Sequence, residues 1–421
     1  MRLLYLHQYF NTPSMPGSTR SYEMAKRLVQ WGHEVHMITS EREGTQKEIW
    51  RETEEDGIHV HWTPVPYSNS MNYPQRIRAF FAYALRAGKK AIEIEGDVVF
   101  ATSTPLTVAI PAVRSSSKLG IPMVFEVRDL WPEIPIAIGA IKNPLLIAAA
   151  RQLEKYAYRN AARVVALSPG IKEGITRTGC PEEKITVIPN SCDIDLFDVP
   201  GERGQEIRHR FEWLGERPLV AYIGTFGKIN GAGYLARLAA EVGKRDPEVR
   251  FAAIGDGKER HEVETLARDL GVLNRNFFMF SQIPKKETPS WFSAATISTS
   301  LFIDLPEMWN NSANKFFDSL AAGKPVAINY QGWQAEILQE AGAGIVLDPQ
   351  NIGEAAAVIA ERVRDRSWLE GASEAARHLA SERFDREKLA RSLEEVLVEA
   401  CAITGNKKEQ LREARGEYQS R

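Results

Sequence analysis

The chain has 421 residues, too many for one ordinary hydrophobic core, so at least two domains are expected. A hydrophobic fraction of 43% and a charged fraction of 26% are typical of soluble globular proteins, and the net charge of −2 argues against nucleic acid as a partner. No apolar run reaches the ~20 residues that a membrane span needs. Three cysteines without metal-ligand spacing favour a reducing cytoplasm over a disulfide-stabilised fold.

Short apolar segments alternate with helical patterns along the first half of the chain. The segments of strand type are 2–7, 35–39, 58–62, 98–101, 123–127, 164–167 and 185–188. The helical patterns between them are 19–31, 77–92, 106–119 and 145–160. Strands that alternate with helices indicate a parallel sheet built from right-handed crossovers. The charged segment 41–56 is predicted as a loop or a hairpin tip.

The same alternation begins again in the second half of the chain. Its strand segments are 219–223, 251–254, 277–280, 296–300, 326–329 and 345–347. Two such series predict an α/β protein with two doubly wound domains. Glycine, proline and charged residues at 199–204 suggest domains over 1–200 and 201–380. The remaining segment, 381–421, is predicted to be helical with a charged tail, and we expect it to pack back on the N-terminal domain.

The loop after the first strand contains residues suited to binding an anion. Gly17 can bring its backbone close to a ligand, Ser18 or Thr19 can cap the next helix, and Arg20 lies on the first turn. A helix start of this kind can bind a phosphate group. The competing interpretation is a capped helix with a surface arginine, and this feature alone leaves both open.

Ionisable residues follow the strand predicted at 123–127. Arg128 and Asp129 come directly after it, next to Trp131. Ligands of open parallel sheets bind beyond the carboxyl ends of the strands, so Arg128 and Asp129 are candidate functional groups. The alternative is a structural ion pair at the end of a strand.

A glycine-rich turn opens the second domain. Gly224, Thr225, Gly227 and Lys228 follow its first strand, and Gly255 begins another tight turn after the second strand. Glycines in this position allow a diphosphate to approach the backbone closely. Neither GxxxxGK[ST] nor GxGxxG is present, which disfavours a P-loop nucleotide hydrolase and a dehydrogenase.

The segment 310–326 combines a polar loop, a helix and a strand. Lys315 and Asp318 lie one turn apart on the predicted helix, and Gly323 is expected to end it. The apolar run that follows is predicted to be a buried strand. Such a helix can hold a phosphate with its lysine and a ribose with its carboxylate. The alternative is an ordinary helix with a solvated Lys–Asp pair.

The segment 74–90 joins an apolar helix face to a group of basic residues. The apolar positions are Ile77, Phe80, Phe81, Ala84 and Leu85, and the basic ones are Arg76, Arg78, Arg86, Lys89 and Lys90. A basic helix with aromatic residues can lie on an anionic membrane. The alternative is a helix packed on the core with a solvated basic face.

Taken together, these segments resemble the retaining glycosyltransferases of family 4. That family has the GT-B fold, in which two Rossmann-like domains with parallel sheets face each other across a cleft. The matching segments occur in the family's order at 17–20, at 167–170 leading to 187–193 and Phe197, and at 224–231, 254–257 and 318–326. The stretches 126–132 and 137–143 are similar to the WbuB-like branch, whose members resemble L-fucosamine transferases of surface-polysaccharide assembly.

The resemblance implies roles in binding a nucleotide sugar. Gly17 would contact the diphosphate, and the 224–231 turn would hold the phosphates, with Lys228 and Lys315 as nearby positive charges. Ile283 would lie beside the nucleobase. Asp318 takes the place of the glutamate that binds the ribose hydroxyls in the family.

Some positions depart from the family pattern. Asn310 stands where the first acid of the E-x7-E motif is expected, and Arg128 stands where a histidine is often found. Thr225 and Asn230 replace the usual arginine and lysine of the phosphate loop. Asn310 and Arg128 nevertheless remain candidate catalytic residues, together with Asp129 as an acceptor base or a partner of a sugar hydroxyl.

The resemblance implies a metal-independent, retaining glycosyltransferase without a cofactor. We expect a nucleoside-diphosphate sugar, UDP-linked, as donor of a sugar such as an N-acetylated deoxyhexosamine. The expected acceptor is a lipid-linked saccharide of bacterial O-antigen or capsule assembly, reached from the cytoplasm through membrane contact of the 74–90 segment. The alternatives are transfer to a small-molecule acceptor and a non-catalytic scaffold that binds nucleotide sugars.

Overall fold

The computed structural model describes residues 1–15, 17–44, 47–68 and 71–419. The chain divides into two compact units. The first consists of Met1–Pro189 and Glu387–Arg421, and the second of Asn190–Arg386. The first division therefore falls earlier than the sequence-based boundary at residue 200, and the return to the first unit comes after Arg386 rather than at residue 380.

The described part of the first unit contains an eight-stranded sheet. The strands are β1 (Arg2–Leu6), β2 (Glu34–Glu41), β3 (Arg51–Glu55), β4 (Ile58–Pro64), β5 (Val98–Thr102), β6 (Met123–Val127), β7 (Arg163–Ala166) and β8 (Ile185–Val187). Their order is β3-β4-β2-β1-β5-β6-β7-β8. Neighbouring strands of this described sheet run parallel, except that β3 is antiparallel to β4.

Strand β3 corrects the prediction of a loop or hairpin tip over 41–56. Arg51 pairs with Trp62 and Glu55 with Ile58, which makes a hairpin of β3 and β4. The turn consists of Asp56 and Gly57, both with positive φ, a typical sequence for a two-residue hairpin turn. The sequence does not predict this strand, because an edge strand of charged residues lacks the alternation of apolar and polar residues that indicates a strand.

Helices cover both faces of the first sheet. They are α1 (Arg20–Gln30), α2 (Tyr73–Ile94), α3 (Ala109–Leu119), α4 (Glu133–Ala137), α5 (Pro144–Asn160) and α6 (Pro169–Arg177). Tyr83 of α2 and Tyr158 of α5 join one buried apolar cluster, and Leu28 of α1 joins another. Helix α2 begins at a capping box, since the side chain of Asn72 accepts from the backbone N–H of Gln75 at 3.1 Å.

The second unit contains a six-stranded sheet in which neighbouring strands are parallel. The strands are β9 (Leu219–Ile223), β10 (Arg250–Ile254), β11 (Phe277–Phe280), β12 (Ile297–Ser300), β13 (Val326–Ile328) and β14 (Gly344–Val346). Their order is β11-β10-β9-β12-β13-β14, so the direction of winding reverses between β9 and β12. Ligands of doubly wound sheets bind beyond the carboxyl ends of the strands at such a reversal.

Helices also cover this second sheet. They are α7 (Ile194–Phe197), α8 (Gly201–Arg210), α9 (Gly233–Arg245), α10 (Arg260–Asp269), α11 (Thr288–Ala294), α12 (Asn314–Ala321), α13 (Trp333–Ala341), α14 (Ile352–Arg362) and α15 (Arg366–Arg383). The predicted helix after Asn310 is confirmed as α12. It ends before Gly323, whose φ of 60° lets the chain turn into β13.

The last helix is α16 (Arg386–Gln419). Leu393 and Leu397 of α16 are fully buried in the same apolar cluster as Tyr5 and Leu28 of the first unit. The C-terminal helix is therefore part of the N-terminal unit's core. None of the helices in the described part of the chain combines the length and hydrophobicity that a membrane span requires.

Candidate functional site

The loops after β9 and β10 are joined by backbone hydrogen bonds. The N–H of Gly224 donates to the carbonyl of Ile254 at 3.0 Å, and that of Phe226 donates to the carbonyl of Asp256 at 2.9 Å. Gly255 has a φ of 150°, and a Cβ on it would overlap the carbonyl oxygen of Gly224. The predicted glycine turns thus form one backbone surface, and glycine at 255 is required by the close approach of the two loops.

The same loop continues over a short 3-10 turn, Lys228–Asn230. A Cβ on Gly227 would lie 2.8 Å from the side-chain amide group of Asn230, and one on Gly231 would lie 2.8 Å from the carbonyl group of Phe302. These two glycines therefore let the loop fold tightly against the segment after β12. Lys228 is exposed at the loop surface.

Lys315 of α12 is a buried cation beneath this loop, with 9% of its surface exposed. Its Nζ donates to the carbonyl of Leu301 at 3.1 Å and lies 4.9 Å from the ring centre of Tyr222 and 4.8 Å from that of Phe302. With the Asn230 amide turned so that its oxygen faces the lysine, that oxygen accepts from Nζ at 3.3 Å. Burial lowers the pKa of Lys315 to about 7.

The ammonium group of Lys315 has partial partners and no full counter-charge. Among the described residues, no carboxylate lies within ion-pair distance of Nζ. The lysine is adjacent to the glycine loop, since a Cβ on Gly224 would lie 3.5 Å from its Cδ. Tyr222 also reaches this loop, through a 2.7 Å hydrogen bond from its hydroxyl to the carbonyl of Thr225. An anion bound at the loop would supply the missing negative charge.

Asp318 lies one turn further along α12, in a different environment. It is half-buried, and Lys315 is not within ion-pair distance of it, so the two residues do not form the solvated pair considered from the sequence. Burial raises the pKa of Asp318 to about 6, while the positive charges of Lys285 and Arg386 act in the opposite direction. Asp193 raises it further and is itself bonded to Arg386, with Nε and Oδ1 2.8 Å apart.

Asn310 ends a 3-10 turn, Pro306–Asn310, just before α12. The segment after it is tightly held. The hydroxyl of Ser312 accepts from the backbone N–H of Asn190 at 2.9 Å, and the carbonyl of Asn311 accepts from the indole N–H of Trp333 at 2.9 Å. Asn310 is therefore carried at the start of α12 by a constrained loop.

Ile283 follows β11 at the same edge of the sheet. It is half-buried and packs against an apolar cluster that includes Ile254 and Trp291. The two residues before it, Ser281 and Gln282, are exposed. Ile283 thus offers a firmly supported apolar surface beside the carboxyl ends of the strands.

In the first unit, Arg20 is fully used by internal partners. Its guanidinium donates twice to Oε1 of Glu126, at 2.8 and 3.1 Å, and also to the carbonyls of Ile188 at 3.0 Å and Pro189 at 2.6 Å. Thr102 donates to the other oxygen of Glu126 at 2.6 Å. The structure therefore places the predicted nucleotide ligand Arg20 inside the unit, where it joins α1 to strands β6 and β8.

Gly17 adopts a φ of 124°, a conformation that favours glycine. A Cβ there would lie 2.7 Å from Nδ2 of Asn11, which donates to the carbonyl of Ser18 at 3.2 Å. Thr19 occupies the N-cap position of α1, but its side chain makes no capping hydrogen bond. Of the two residues expected to cap this helix, Ser18 or Thr19, Thr19 therefore does not do so. The turn is compact and keeps its backbone at the carboxyl end of β1.

Arg128 lies at the carboxyl end of β6 with its guanidinium near two residues of the β1 loop. It is 3.3 Å from the hydroxyl of Ser18 and 3.5 Å from Nε2 of His7. The pKa of His7 is well below its ordinary value, because the ring is buried and because Arg128 and Arg42 lie nearby. His7 is therefore a neutral partner of the arginine, a relation that no local sequence pattern revealed.

Asp129 is half-buried and accepts from the hydroxyl of Thr104 at 3.3 Å. Burial raises its pKa above the ordinary value, although Arg128 and Thr104 both act to lower it. A carboxyl group in this state can take up a proton more readily than a solvated one. The structure thus brings Gly17, Arg128 and Asp129 to the carboxyl edge of the first sheet. Arg20 is buried inside the unit and is not exposed at this edge.

No local sequence pattern reveals Arg386, whose charge acts on Asp318. Arg386 is 5% exposed and donates to the carbonyl of Ser191 at 2.9 Å as well as pairing with Asp193. It lies 68 positions after Asp318, so no local spacing connects them. Among the described residues, no group of three or more histidine, cysteine, aspartate and glutamate side chains has an arrangement suited to a metal ion, and metal independence remains a prediction.

Comparison with known families identifies the class of protein. Residues 17–191 match the glycosyl transferase 4-like domain, and residues 204–379 match the glycosyl transferases group 1 domain. Together the two matches span most of the chain. The protein belongs to the family-4 glycosyltransferases with the GT-B fold.

Individual relatives are more distant. The chain is 23% identical over 275 residues to alpha-D-kanosaminyltransferase of Streptomyces kanamyceticus, over 63% of this chain and 67% of that one. It is 22% identical over 276 residues to the putative colanic acid biosynthesis glycosyl transferase WcaI of Escherichia coli, over 61% of this chain and 66% of that one. The matches thus span about two thirds of these relatives.

A solved structure extends the similarity of fold to almost the whole chain. The structure of Anabaena Alr3699/HepE in complex with UDP-glucose superposes with a TM-score of 0.73, over 95% of this chain and 100% of that one. At 18% sequence identity, this likeness concerns the fold. It confirms the expected class of two α/β units with parallel sheets.

Proposed function

We propose that this protein is a glycosyltransferase that moves a sugar from a UDP-linked donor to a lipid-linked saccharide in bacterial surface-polysaccharide assembly. The observation that carries the donor part is the buried ammonium group of Lys315, which lies under the Gly224 loop without a carboxylate partner among the described residues. A diphosphate at this loop would meet backbone N–H groups and a cation together.

The proposed chemistry follows from the charges that develop during transfer. Breaking the bond between sugar and diphosphate leaves negative charge on the diphosphate and positive, oxocarbenium-like character on the sugar. Lys315 and the loop around Gly224 would stabilise the diphosphate, with exposed Lys228 as a further positive charge. Asp318 would accept from the ribose hydroxyls, and Ile283 would support the nucleobase.

The remaining candidate residues, Asp129, Arg128, Asn310 and Gly17, would bind the donor and the acceptor. Asp129 would accept the proton of the acceptor hydroxyl or bind a sugar hydroxyl, because its raised pKa suits proton uptake. Arg128 and Asn310 would orient the sugar, and Gly17 would approach the diphosphate with its backbone. We further propose that transfer retains the configuration of the anomeric carbon and requires no metal.

The proposal of a lipid-linked acceptor draws on two observations. The relative WcaI is named for colanic acid biosynthesis. In addition, α2 exposes Phe81 by 49% and Leu85 by 63%, with Arg78 and Lys89 exposed in the same stripe. Exposed apolar side chains between basic ones suit the interface of an anionic membrane. The helix therefore serves as a reversible membrane contact in this proposal.

A second candidate acceptor is a small molecule. The relative alpha-D-kanosaminyltransferase is a member of this family whose name gives a transferred sugar and no membrane or polysaccharide. A protein of this kind would not need the exposed stripe of α2, so membrane binding distinguishes the two candidates.

The first experiment measures donor use by the purified chain. UDP-sugars are screened by thermal shift, where a ligand at 100 times its Kd stabilises by ~2.7 kcal/mol, and the best donor is then assayed for release of UDP with and without EDTA. We expect slow hydrolysis that EDTA does not reduce. Tight binding without any release of UDP, with or without acceptor lipid, would instead identify a non-catalytic scaffold.

The second experiment tests the membrane contact. Wild-type protein should sediment with anionic liposomes at low salt, and the double variant Phe81→Ser, Leu85→Ser should not, while UDP binding is unchanged. The variant Leu270→Ser, which alters another exposed leucine in the second unit, serves as control. Wild-type protein that stays in the supernatant at low salt would favour the small-molecule acceptor.

A further inference from the structure

A basic groove lies at the amino ends of β12 and β13 in the second unit. Its volume is about 410 Å³, and its lining includes Thr296, Lys324, Glu370, Ser373 and Arg377. The candidate nucleotide site lies beyond the carboxyl ends of the same strands. The four residues of β12 separate the two places by roughly 13 Å. The groove is therefore a separate feature of this unit.

Lys324 and Arg377 meet at Gly323. The glycine has a φ of 60°, and a Cβ on it would lie 2.8 Å from Cγ of Arg377, so the arginine side chain rests directly on the turn. Lys324 follows the glycine, is half-buried, and donates from Nζ to the carbonyl of Ser293 at 2.9 Å. The turn thus brings two long cationic side chains to one wall of the groove.

A third cation, Arg208, lies close to Lys324. Burial and then the charges of Arg208 and Arg377 lower the pKa of Lys324 to about 8. Arg208 donates to three backbone carbonyls, those of Gly215, Arg217 and Ala294. The charges of Arg208 and Arg377 therefore both act against that of Lys324. Among the described residues, no carboxylate is within ion-pair distance of any of the three cations.

Two acids lie in the surroundings and modulate this positive charge. Glu216 is near enough to act on the pKa of Arg208, raising it against the effect of burial. Glu370 lines the groove on the same face of α15 as Ser373 and Arg377, since the three positions are spaced by three and four residues. The charge of the lining is positive, with Lys324 and Arg377 against the one carboxylate of Glu370.

We propose that this groove binds the phosphate group of a small phosphorylated molecule. The phosphate would accept from Lys324 and Arg377, which have donors to spare, and from the hydroxyl groups of Thr296 and Ser373. Thr296 accepts from the backbone N–H of Leu219 at 3.0 Å, which leaves its hydroxyl hydrogen to donate. The volume of the groove accommodates a small organic group beside the phosphate.

The proposal rests on residues that have no part in the proposed glycosyl transfer, so each can fail without the other. Inorganic phosphate is titrated into the intact chain by calorimetry, at constant ionic strength, in the presence of saturating UDP. Wild-type protein should bind one phosphate. Arg377→Gln should weaken binding by about tenfold or more, the equivalent of one lost hydrogen bond between charged groups.

The matched control is Arg383→Gln, an exposed arginine at the end of the same helix that does not line the groove. It should leave phosphate binding unchanged. Glu370→Gln should strengthen binding, because it removes a negative charge from the groove. Both Arg377 and Glu370 are exposed, so their variants should fold, and thermal unfolding of each variant checks this.

Glycerol 3-phosphate, titrated in the same way, separates the two sources of the phosphate group. Tighter binding than inorganic phosphate indicates a phosphate ester as ligand, and equal binding indicates phosphate itself. No measurable binding of either probe by wild-type protein would overturn the proposal. Phosphate binding that is seen only when UDP is left out, or that Asp318→Ala abolishes, would also overturn it, because the phosphate would then occupy the nucleotide site.

Discussion

Each unit buries a cation at the carboxyl edge of its sheet, and the two are partnered differently. Arg20 in the first unit has a carboxylate, Glu126, and two backbone carbonyls as acceptors. Lys315 in the second unit has one carbonyl, the hydroxyl of Tyr222, an amide oxygen and the faces of two aromatic rings, all of them uncharged. The charge of Arg20 is therefore neutralised by a carboxylate of the same chain, whereas Lys315 is surrounded only by uncharged groups.

The difference decides which cation can act on a ligand. A buried arginine with a complete set of acceptors would lose those bonds by turning to a phosphate. A buried lysine without a counter-ion gains from one, since bringing an anion to it offsets the cost of its burial. The lowered pKa of Lys315, about 7, reflects that cost. At Glu126 burial acts to raise the pKa, but the charges of Arg20 and Arg128, together with the hydrogen bonds from Arg20 and Thr102, outweigh it and lower the pKa of that carboxyl.

The largest effect is expected from breaking the arginine's pair. Glu126→Gln leaves Arg20 as a buried charge without a full counter-charge, which should destabilise the chain by about 3–5 kcal/mol in urea unfolding. The control is Glu387→Gln, whose pair with Arg27 is at the surface and should contribute about 0–1 kcal/mol. Equal small effects of both variants would show that Arg20 is not held by its carboxylate.

The next test uses Glu154, a buried carboxyl that has no cation at ion-pair distance among the described residues. Burial, and then the nearby charge of Glu133, raise the pKa of Glu154 to about 8, and Tyr158 donates to it at 3.1 Å. Because the folded chain keeps this proton while the unfolded chain loses it near pH 4.5, stability is full below pH 4.5 and falls as the pH rises to 8.

Glu154→Gln mimics the protonated form and should remove this fall, which is worth about 2–4 kcal/mol between pH 5 and pH 8. Urea unfolding at several pH values measures it, with Glu370→Gln as an exposed control. A variant that keeps the wild-type pH dependence would assign the fall to other groups.

Replacing the lysine should affect ligand binding more than folding. Lys315→Met removes a buried charge, so the stability of the ligand-free chain should be unchanged or higher, while UDP affinity should fall by about 1.5–3 kcal/mol. Calorimetry and urea unfolding measure the two quantities, and Lys244→Met, in a surface pair with Glu241, is the control. If Lys315→Met unfolds as easily as Glu126→Gln, the lysine has a structural role like that of Arg20.

The smallest expected effect is the pH dependence of nucleotide binding. Asp318 can accept from ribose hydroxyls on both oxygens only when it is ionised, and its pKa is raised to about 6. UDP affinity should therefore be full above pH 7 and fall by up to about tenfold, or 1.4 kcal/mol, per pH unit below pH 6. Asp318→Asn should bind UDP more weakly and lose this dependence. A variant with wild-type affinity and pH profile would exclude Asp318 from the site.

Strong local signals explain the parts of the fold that could be predicted. The run from Asn310 to Val326 predicted α12, its glycine end and β13, because helix capping and apolar runs are properties of neighbouring residues. Strand β3 was missed because its stability comes from pairing with β4 and not from an apolar face of its own. The sequence predicts each of the glycine turns after β9 and β10. It does not predict the close contact between Gly255 and the carbonyl of Gly224, because these two residues are about 30 positions apart.

The sequence by itself determined the class of this protein. Both the two series of alternating strands and helices and the motif segments of a glycosyltransferase family can be recognised from neighbouring residues and their order along the chain. Only the tertiary structure decided what each charged residue does. Arg20 and Lys315 both lie in the first turn of a helix, yet Arg20 contacts a carboxylate 106 positions away and Lys315 contacts none among the described residues. Burial and counter-charge are set by distant segments, and they decide whether a cation holds the fold or remains available to a ligand.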